Sequence, residues 1–426
     1  MLLTRATGAV VYLGYHMIKT RPGTMRRLLV GAGWVILVAL AGVASAYLIA
    51  DPPPAPRNDF MEYWAAGRLN ANGGNPYSEA DLLPVQAAIG MADEQAWPML
   101  NPPWTLALLM PFGVSEYGPG YVVWITLLIA AVLLGADLAW RVFGGEPRKR
   151  WLAPLLAIAS LPTFYALAAA QITPLVLLGL VAFLSCDCRG KEGRAGAALA
   201  LAAVKPHLFY LVFPAVLLRS IDRRSGAGLA GLGIALAAMT GVAMATNPSA
   251  VVQYLGMMVH RPPARFTPPT IGTFLRMLFG TGRFWLQHVP MLVGLWWFTL
   301  HWRRHRRDWN WAEQLPLLLF ASLLTAPYGA WLFDLVILVI PLLQATTWAC
   351  QSANRRGIVG LGVTYALIMT SPLALAPLRL NAAVYYYVPV ALLLLYLPAR
   401  RILTDVAQPA IGAATPNPAV RIRRSE

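Results

Sequence analysis

Asn58-Asp59-Phe60-Met61-Glu62-Tyr63-Trp64-Ala65-Ala66-Gly67-Arg68-Leu69 is the stretch whose reading decides the fold. It follows an apolar run, residues 28–50, across the elbow Asp51-Pro52-Pro53-Pro54-Ala55-Pro56. Phe60, Tyr63, Trp64 and Gly67 recur at helical spacing, which predicts a short helix with these residues on one face. The run before it is long enough to cross a bilayer, so the helix begins just outside a membrane. Asp59 stands at its start. With Glu62 three residues on, it fits a capping box, in which the acid accepts a backbone N–H. A capped carboxylate still exposes one oxygen, so a cap and a chemical role are compatible.

Composition points the same way. Of 426 residues, 58% are hydrophobic and 12% charged, against about 25% charged in a soluble domain. Mean hydropathy is +0.57. A soluble fold cannot hide that much apolar side chain, so the chain is predicted to be an all-α polytopic membrane protein. A β-barrel would alternate in ten-residue strands; here the apolar blocks approach helix-spanning length. The net charge of +16 would suggest nucleic acid in a soluble protein. Here the basic residues gather at segment ends, as the positive-inside rule requires, and no nucleic-acid partner is expected. Cys186, Cys188 and Cys350 are expected to be reduced thiols and are too scattered for a zinc set.

Residues 1–27 carry Arg5, Lys19, Arg21, Arg26 and Arg27 and are read as a cytoplasmic or interfacial N-terminus. Ala44-Ser45-Ala46 fits a signal cleavage site, but the preceding 27 residues are long for an n-region, so 28–50 is read as a retained helix. Residues 51–103 form a first outer loop rich in acids, with a turn at Gly73-Gly74-Asn75-Pro76-Tyr77 and a stiff re-entry at Asn101-Pro102-Pro103-Trp104. Residues 104–110 are too short to cross. Further spans are read at 121–142, 151–168, 173–185, 226–245, 287–300, 312–326, 328–346, 357–375 and 382–397. A second outer loop covers 247–285, with a short helix at 273–279. Residues 195–218 are interrupted by Lys205-Pro206 and basic at both ends, so two short broken helices meeting near Lys205 are expected. The membrane domain is bounded at 28–400. The tail, 401–426, is rich in Pro, Ala and Arg and reads as disordered and cytoplasmic. Of the 34 basic residues, only Arg57, Arg68, Arg261, Arg265, Arg276, Arg283 and Arg379 fall outside in this topology, and Lys205 alone is left within the membrane. That asymmetry puts Asp59 on the extracytoplasmic side.

A lysine at mid-bilayer costs roughly 3 kcal/mol on insertion scales. Lys205 either snorkels to headgroups or binds an anion such as phosphate, with His207 as a second donor. Asp334 also lies in an apolar segment, and reads either as a structural ion pair, with Lys205 as candidate partner, or as a substrate-binding group. Gln171 suits an interhelical hydrogen bond. The outer-loop arginines, Arg265 and Arg276 among them, either anchor to membrane lipid headgroups or neutralise a phosphate at the cavity mouth. No Walker loop, H-E-x-x-H or G-x-S-x-G occurs, the six histidines are scattered, and no carboxylate cage is evident, so no metal or cofactor is expected.

Asn58-Asp59-Phe60, Tyr63-Trp64-Ala65-Ala66-Gly67-Arg68, Gly74-Asn75-Pro76-Tyr77 and Asn101-Pro102-Pro103 together resemble glycosyltransferase family 87. These are GT-C-type membrane enzymes that include polyprenyl-phosphate-mannose-dependent mannosyltransferases. Ala170-Gln171-Ile172-Thr173 is similar to the family's Gly-Gln-x-Asn, with Ala for Gly and Thr for Asn. Residues 199–206 resemble its Ala-rich run into Lys-Pro, and Ala326-Pro327-Tyr328 its late Ser-Pro motif. Many relatives carry a histidine pair after that motif; here the stretch reads Trp331-Leu332-Phe333-Asp334, so no histidine role carries over.

The resemblance implies a GT-C bundle of roughly 10–12 spans and inverting transfer of a hexose, mannose by analogy, from a polyprenyl-phosphate donor to a glycan or glycolipid acceptor on the outer face of the cytoplasmic membrane. It implies Asp59 as catalytic base. Lys205, His207, Arg265, Arg276, Asp334, Gln171, Tyr63 and Trp64 are the substrate-binding candidates. A lipid phosphate leaves without a general acid but needs a cation beside it, and the acceptor hydroxyl needs a base. Two rivals remain at this stage: a transporter or flippase of lipid-linked sugars, which would also want Lys205 and Asp334 in the membrane, and a non-catalytic polyprenyl-lipid-binding relative.

Overall fold

The computed structural model describes residues 58–91, 93–260, 267–352 and 354–404. The first span, the N-terminal segment, Arg265 and nearly all of the tail lie outside the described residues. Within them every regular element is helical. In chain order the α-helices are α1 (Phe60–Ala71), α2 (Glu79–Ala87), α3 (Leu106–Gly113), α4 (Tyr117–Val142), α5 (Leu152–Ala159), α6 (Leu161–Ala168), α7 (Thr173–Asp187), α8 (Glu192–Ala202) and α9 (Val212–Asp222). There follow α10 (Ala227–Thr246), α11 (Ala250–His260), α12 (Ile271–Phe279), α13 (Val289–His305), α14 (Trp311–Thr325), α15 (Val339–Gln351), α16 (Arg355–Leu375) and α17 (Tyr387–Thr404).

Among the described residues, five helical stretches are long and apolar enough to cross a membrane: Tyr117–Val142, Ala227–Thr246, Asp334–Gln351, Arg355–Leu378 and Ala382–Leu403. Their outward faces are apolar. Val359, Val363 and Leu367 line one exposed stripe of α16, and Ile234 and Val242 are exposed on α10. A surface of that kind is stable against lipid and not against water. The fold is that of a polytopic all-α membrane protein.

Small residues set the interior spacing. α8 packs against both α7 and α10. A Cβ on Gly179 of α7 would press into the backbone of Ala202, and one on Gly196 of α8 into the Gly228 carbonyl. Close backbone approach through glycine and alanine is how helices pack tightly where lipid removes the hydrophobic driving force between them.

The outer-loop helix α1 is held by the same device. It crosses α3 so closely that a Cβ on Gly67 would meet the Leu109 carbonyl. Phe60 packs among Phe112, Tyr117, Tyr121 and Trp124, with ring centroids 5.4–6.2 Å apart. Asn70, fully buried, donates to the Ala243 carbonyl at 2.9 Å and accepts from Asn247 at 3.2 Å, tying α1 to the end of α10. Gly67→Val is therefore expected to cost about 1–3 kcal/mol, the usual toll of overpacking, seen as a lower melting temperature in detergent. An unchanged melting temperature would mean that α1 is free to move off α3.

Three segments depart from the sequence reading. Residues 151–168 form two short helices, not one span. The chain leaves helical geometry at Ser160 (ψ 131°), and Pro162, which has no N–H to continue the first helix, sits in the opening turn of the second, where none is needed. Residues 328–333 are not helical. Gly329 and Ala330 take positive φ (77° and 58°), which halts a right-handed helix, and helical structure begins only at Asp334. Helix α11 sits in the second outer loop, where only α12 was expected. The break at Lys205 is present as predicted: α8 stops at Ala202, and a 3-10 turn, Pro206–Phe209, precedes α9.

Candidate functional site

The site starts from what Asp59 does not do. It is the residue before α1, yet its side chain makes no capping bond. Asn58 Oδ1 takes that work, accepting the Phe60 N–H at 3.1 Å. The capping-box expectation is thus not met, and the Asp59 carboxylate is released from the helix end. Its own N–H donates to the Ala169 carbonyl at 3.0 Å. Its Oδ2 accepts a hydrogen bond from Gln171 Nε2.

Lys205 is placed by the backbone break. The carbonyls at the end of α8 have no helical partners. Asn101 Nδ2 donates to Val204 O and Trp104 Nε1 to Ala203 O, both at 2.9 Å. The re-entry residues thus clasp the unwound turn and satisfy groups that would be costly to leave bare. Tyr77 Oη donates to the Asn101 carbonyl at 3.1 Å, which joins the first-loop turn to the clasp.

From that turn the Lys205 ammonium reaches Asp334 Oδ1 at 2.9 Å. Asp334 is 1% exposed and accepts two further bonds, from Thr173 Oγ1 at 2.9 Å and from the Trp331 N–H at 3.1 Å. The Lys205 ammonium also lies 5.1 Å from the Phe333 ring. An ammonium has three donors, and the Asp334 bond occupies one. Lys205 therefore does not snorkel; it is held in place by a buried counter-ion.

Asp59, Glu62, Tyr63, Gln171, Lys205, His207 and Asp334 all line one cavity of about 590 Å³. Trp97, Tyr254, Tyr328 and Trp331 supply aromatic wall. A second cavity, about 350 Å³, lies among α5, α14, α15, α16 and α17; its lining is apolar apart from a few hydroxyl groups and has no carboxylate, lysine or histidine. The acid–base chemistry belongs to the first. Burial pushes the Asp59 carboxyl up from its ordinary value, against the opposing pull of Lys205 and the Gln171 hydrogen bond. Glu62 is pushed well above the usual carboxylate range by burial, with the Asp59 charge beside it as the next cause. Two acids so close do not ionise alike, and Asp59, the less perturbed of the two, ionises first and is the one available to accept a proton.

Other sequence candidates sit elsewhere. Trp64 is buried, donates to the Ser115 carbonyl at 3.1 Å and packs on Tyr117; it is not a lining residue of the cavity. Arg276 is buried at the α12 end, bonded to Gln287 Oε1 and the Thr281 carbonyl and set over the Phe284 ring at 4.4 Å. It too is absent from the cavity lining and is not displayed to headgroups. Arg265 lies outside the described residues. Among those described, no group of three or more His, Cys, Asp or Glu side chains is placed to hold a metal ion. Glu62 is the lining residue that sequence reasoning left as a cap; its i+3 spacing from Asp59 was the available signal.

Neither a curated protein nor a solved structure matches the chain. The first-loop motif around Asp59 lies upstream of the one region that a family model covers. That region is residues 99–327, more than half the chain, and it runs through Asn101, Gln171 and Lys205 up to the turn before Asp334. Residues 99–327 match the model of glycosyltransferase family 87, and the chain belongs to that family of glycosyltransferases.

Proposed function

We propose that this glycosyltransferase moves a hexose, mannose by family pattern, from a polyprenyl-phosphate donor to a glycan or glycolipid acceptor on the outer face of the cytoplasmic membrane, with inversion at the anomeric carbon. The observation that carries the reading is the pairing within one cavity of an acid, Asp59, one of whose oxygens accepts no hydrogen bond among the described residues, and a fixed cation, Lys205. Asp59 takes the proton of the acceptor hydroxyl as the new glycosidic bond forms. The bond to the phosphate oxygen breaks, and the remaining Lys205 donors stabilise the departing phosphate. His207 lines the same cavity and offers a further donor. A phosphate leaving group needs no protonation, which agrees with a site built on one base and one cation.

The extracytoplasmic placement rests on the charge asymmetry of the sequence, and the lipid donor explains why the cavity belongs to a membrane fold. The test is direct. Membranes carrying the protein are incubated with labelled polyprenyl-phosphate mannose, then with the glucose analogue. Label is expected to move to a glycolipid or glycan only when the protein is present. Label remaining wholly on the donor with both sugars, in membranes rich in endogenous acceptors, would overturn the donor assignment.

A further inference from the structure

Residues 169–173, the four between α6 and α7 and the first of α7, touch both charged centres of the cavity. Ala169 O accepts the Asp59 N–H. Ala170 holds the left-handed conformation, φ 51°, and its carbonyl accepts from Trp124 Nε1 at 2.8 Å. Gln171 Oε1 accepts from Tyr63 Oη at 2.8 Å and from the Ile172 N–H at 3.1 Å. With its oxygen pinned by two donors, the amide has one orientation, which directs Nε2 at Asp59 Oδ2. Asp59 Oδ1 accepts no hydrogen bond among the described residues. Two positions on, Thr173 Oγ1 holds Asp334 Oδ1, the same oxygen that holds Lys205.

We propose that the turn 169–173 is a positioning element that fixes the proton acceptor and the phosphate-facing cation relative to each other: Gln171 locks Asp59 with Oδ1 alone free for the acceptor hydroxyl, and Thr173 sets Lys205 through Asp334. The proposal rests on the reading of Asp59 as base and assigns Gln171 a role on that base in place of one on substrate. The left-handed Ala170 gives the turn its shape, since it reverses the chain within one residue and lets residues 171 and 173 reach opposite partners. The groups that face Asp59 are Glu62 and Tyr63 on its own helix, Gln171 on the turn, Lys205 and His207 on the α8–α9 turn and Asp334 before α15. Removing the Gln171 donor takes a hydrogen bond from the ionised form of Asp59, so the carboxylate should titrate at higher pH.

The titration arm of the test needs no acceptor, and the transfer arm uses the endogenous acceptors of membranes. Infrared difference titration of purified protein on a Glu62→Gln background, with the matching Asp59→Asn variant as the subtracted reference, reads the Asp59 carboxyl alone. Gln171→Leu is expected to raise its midpoint by about one unit, and Tyr63→Phe to raise it by less, since Ile172 still pins the amide. An unchanged midpoint in both variants overturns the role of Gln171. Transfer from labelled polyprenyl-phosphate mannose reads the other arm. Thr173→Val is expected to lower it roughly tenfold or more, and Thr173→Ser to restore it; wild-type transfer by Thr173→Val overturns that arm. The outcomes separate the proposal from the reading beneath it. Full transfer by Asp59→Asn defeats the base assignment, whereas an inactive Asp59→Asn beside an unmoved midpoint in Gln171→Leu defeats positioning alone.

Discussion

Lys205→Met is expected to lose both stability and transfer, and a second substitution should restore only the first. Asp334 is 1% exposed and its partner cation is Lys205 at 2.9 Å. Removing one member of a buried pair leaves an uncompensated charge and costs about 3–5 kcal/mol. The Thr173 and Trp331 donors soften that cost, because they still serve the carboxylate. Asp334→Leu alone should be similarly destabilised, through the stranded ammonium. The double variant Lys205→Met/Asp334→Leu removes both charges and is expected to regain most of the lost melting temperature, as apolar replacements of buried pairs commonly do. Transfer should stay at least about 100-fold down in the double variant, the scale of losing one donor to a developing oxyanion. Recovery of transfer together with stability would reduce Lys205 to a structural ion pair.

Asp59→Asn is the second large effect, and its two consequences run in opposite directions. Burial holds the Asp59 carboxyl above its ordinary value. The folded state therefore binds this proton more tightly than the unfolded chain does. Linkage then makes Asp59's contribution to stability complete below the unfolded pKa and progressively lost as pH rises through the higher folded value. At neutral pH the ionised acid is a net cost to the fold. Asparagine can still accept from Gln171 Nε2 but carries no charge, so the variant is expected to melt at or above the wild-type temperature at neutral pH, with the difference closing in acid. Activity follows the same group with the other sign, because the base must be ionised to work. The acid limb of kcat/KM should fall as pH drops through the raised Asp59 value, above the range of an exposed aspartate. A site that holds a charge against the preference of the fold is what a trade between stability and activity predicts.

Much of this was legible in the residues, for identifiable reasons. Composition and hydropathy alone required lipid-facing helices, and Lys205-Pro206 in an Ala-rich run marked a break because proline removes a helical donor there. The first loop pointed to Asp59 through its motif. What stayed hidden was long-range. No local pattern couples Gln171 to Asp59, 112 residues apart; Lys205 and Asp334, 129 apart, could be named as a candidate pair because both are charges in apolar segments, but only the packing of α7, α8 and the α15 approach brings either pair together. Residues 151–168 read as one span because the block has spanning length, and length conceals the break at Ser160. Trp64 and Arg276 have the chemistry of ligand-binding side chains, yet both are spent on packing, which type and loop position do not distinguish. The unwound 328–333 segment reads as apolar helix until the positive φ of Gly329 and Ala330 is seen.

The most direct measurement is the initial rate of labelled-hexose transfer from polyprenyl phosphate to endogenous acceptors in membranes carrying wild type or Asp59→Asn at matched protein levels, with melting temperature recorded on protein purified from the same membranes. The account predicts a folded Asp59→Asn protein whose transfer rate falls by about 10²–10⁴, the contribution of a general base. A folded Asp59→Asn protein that transfers the sugar at the wild-type rate would contradict it.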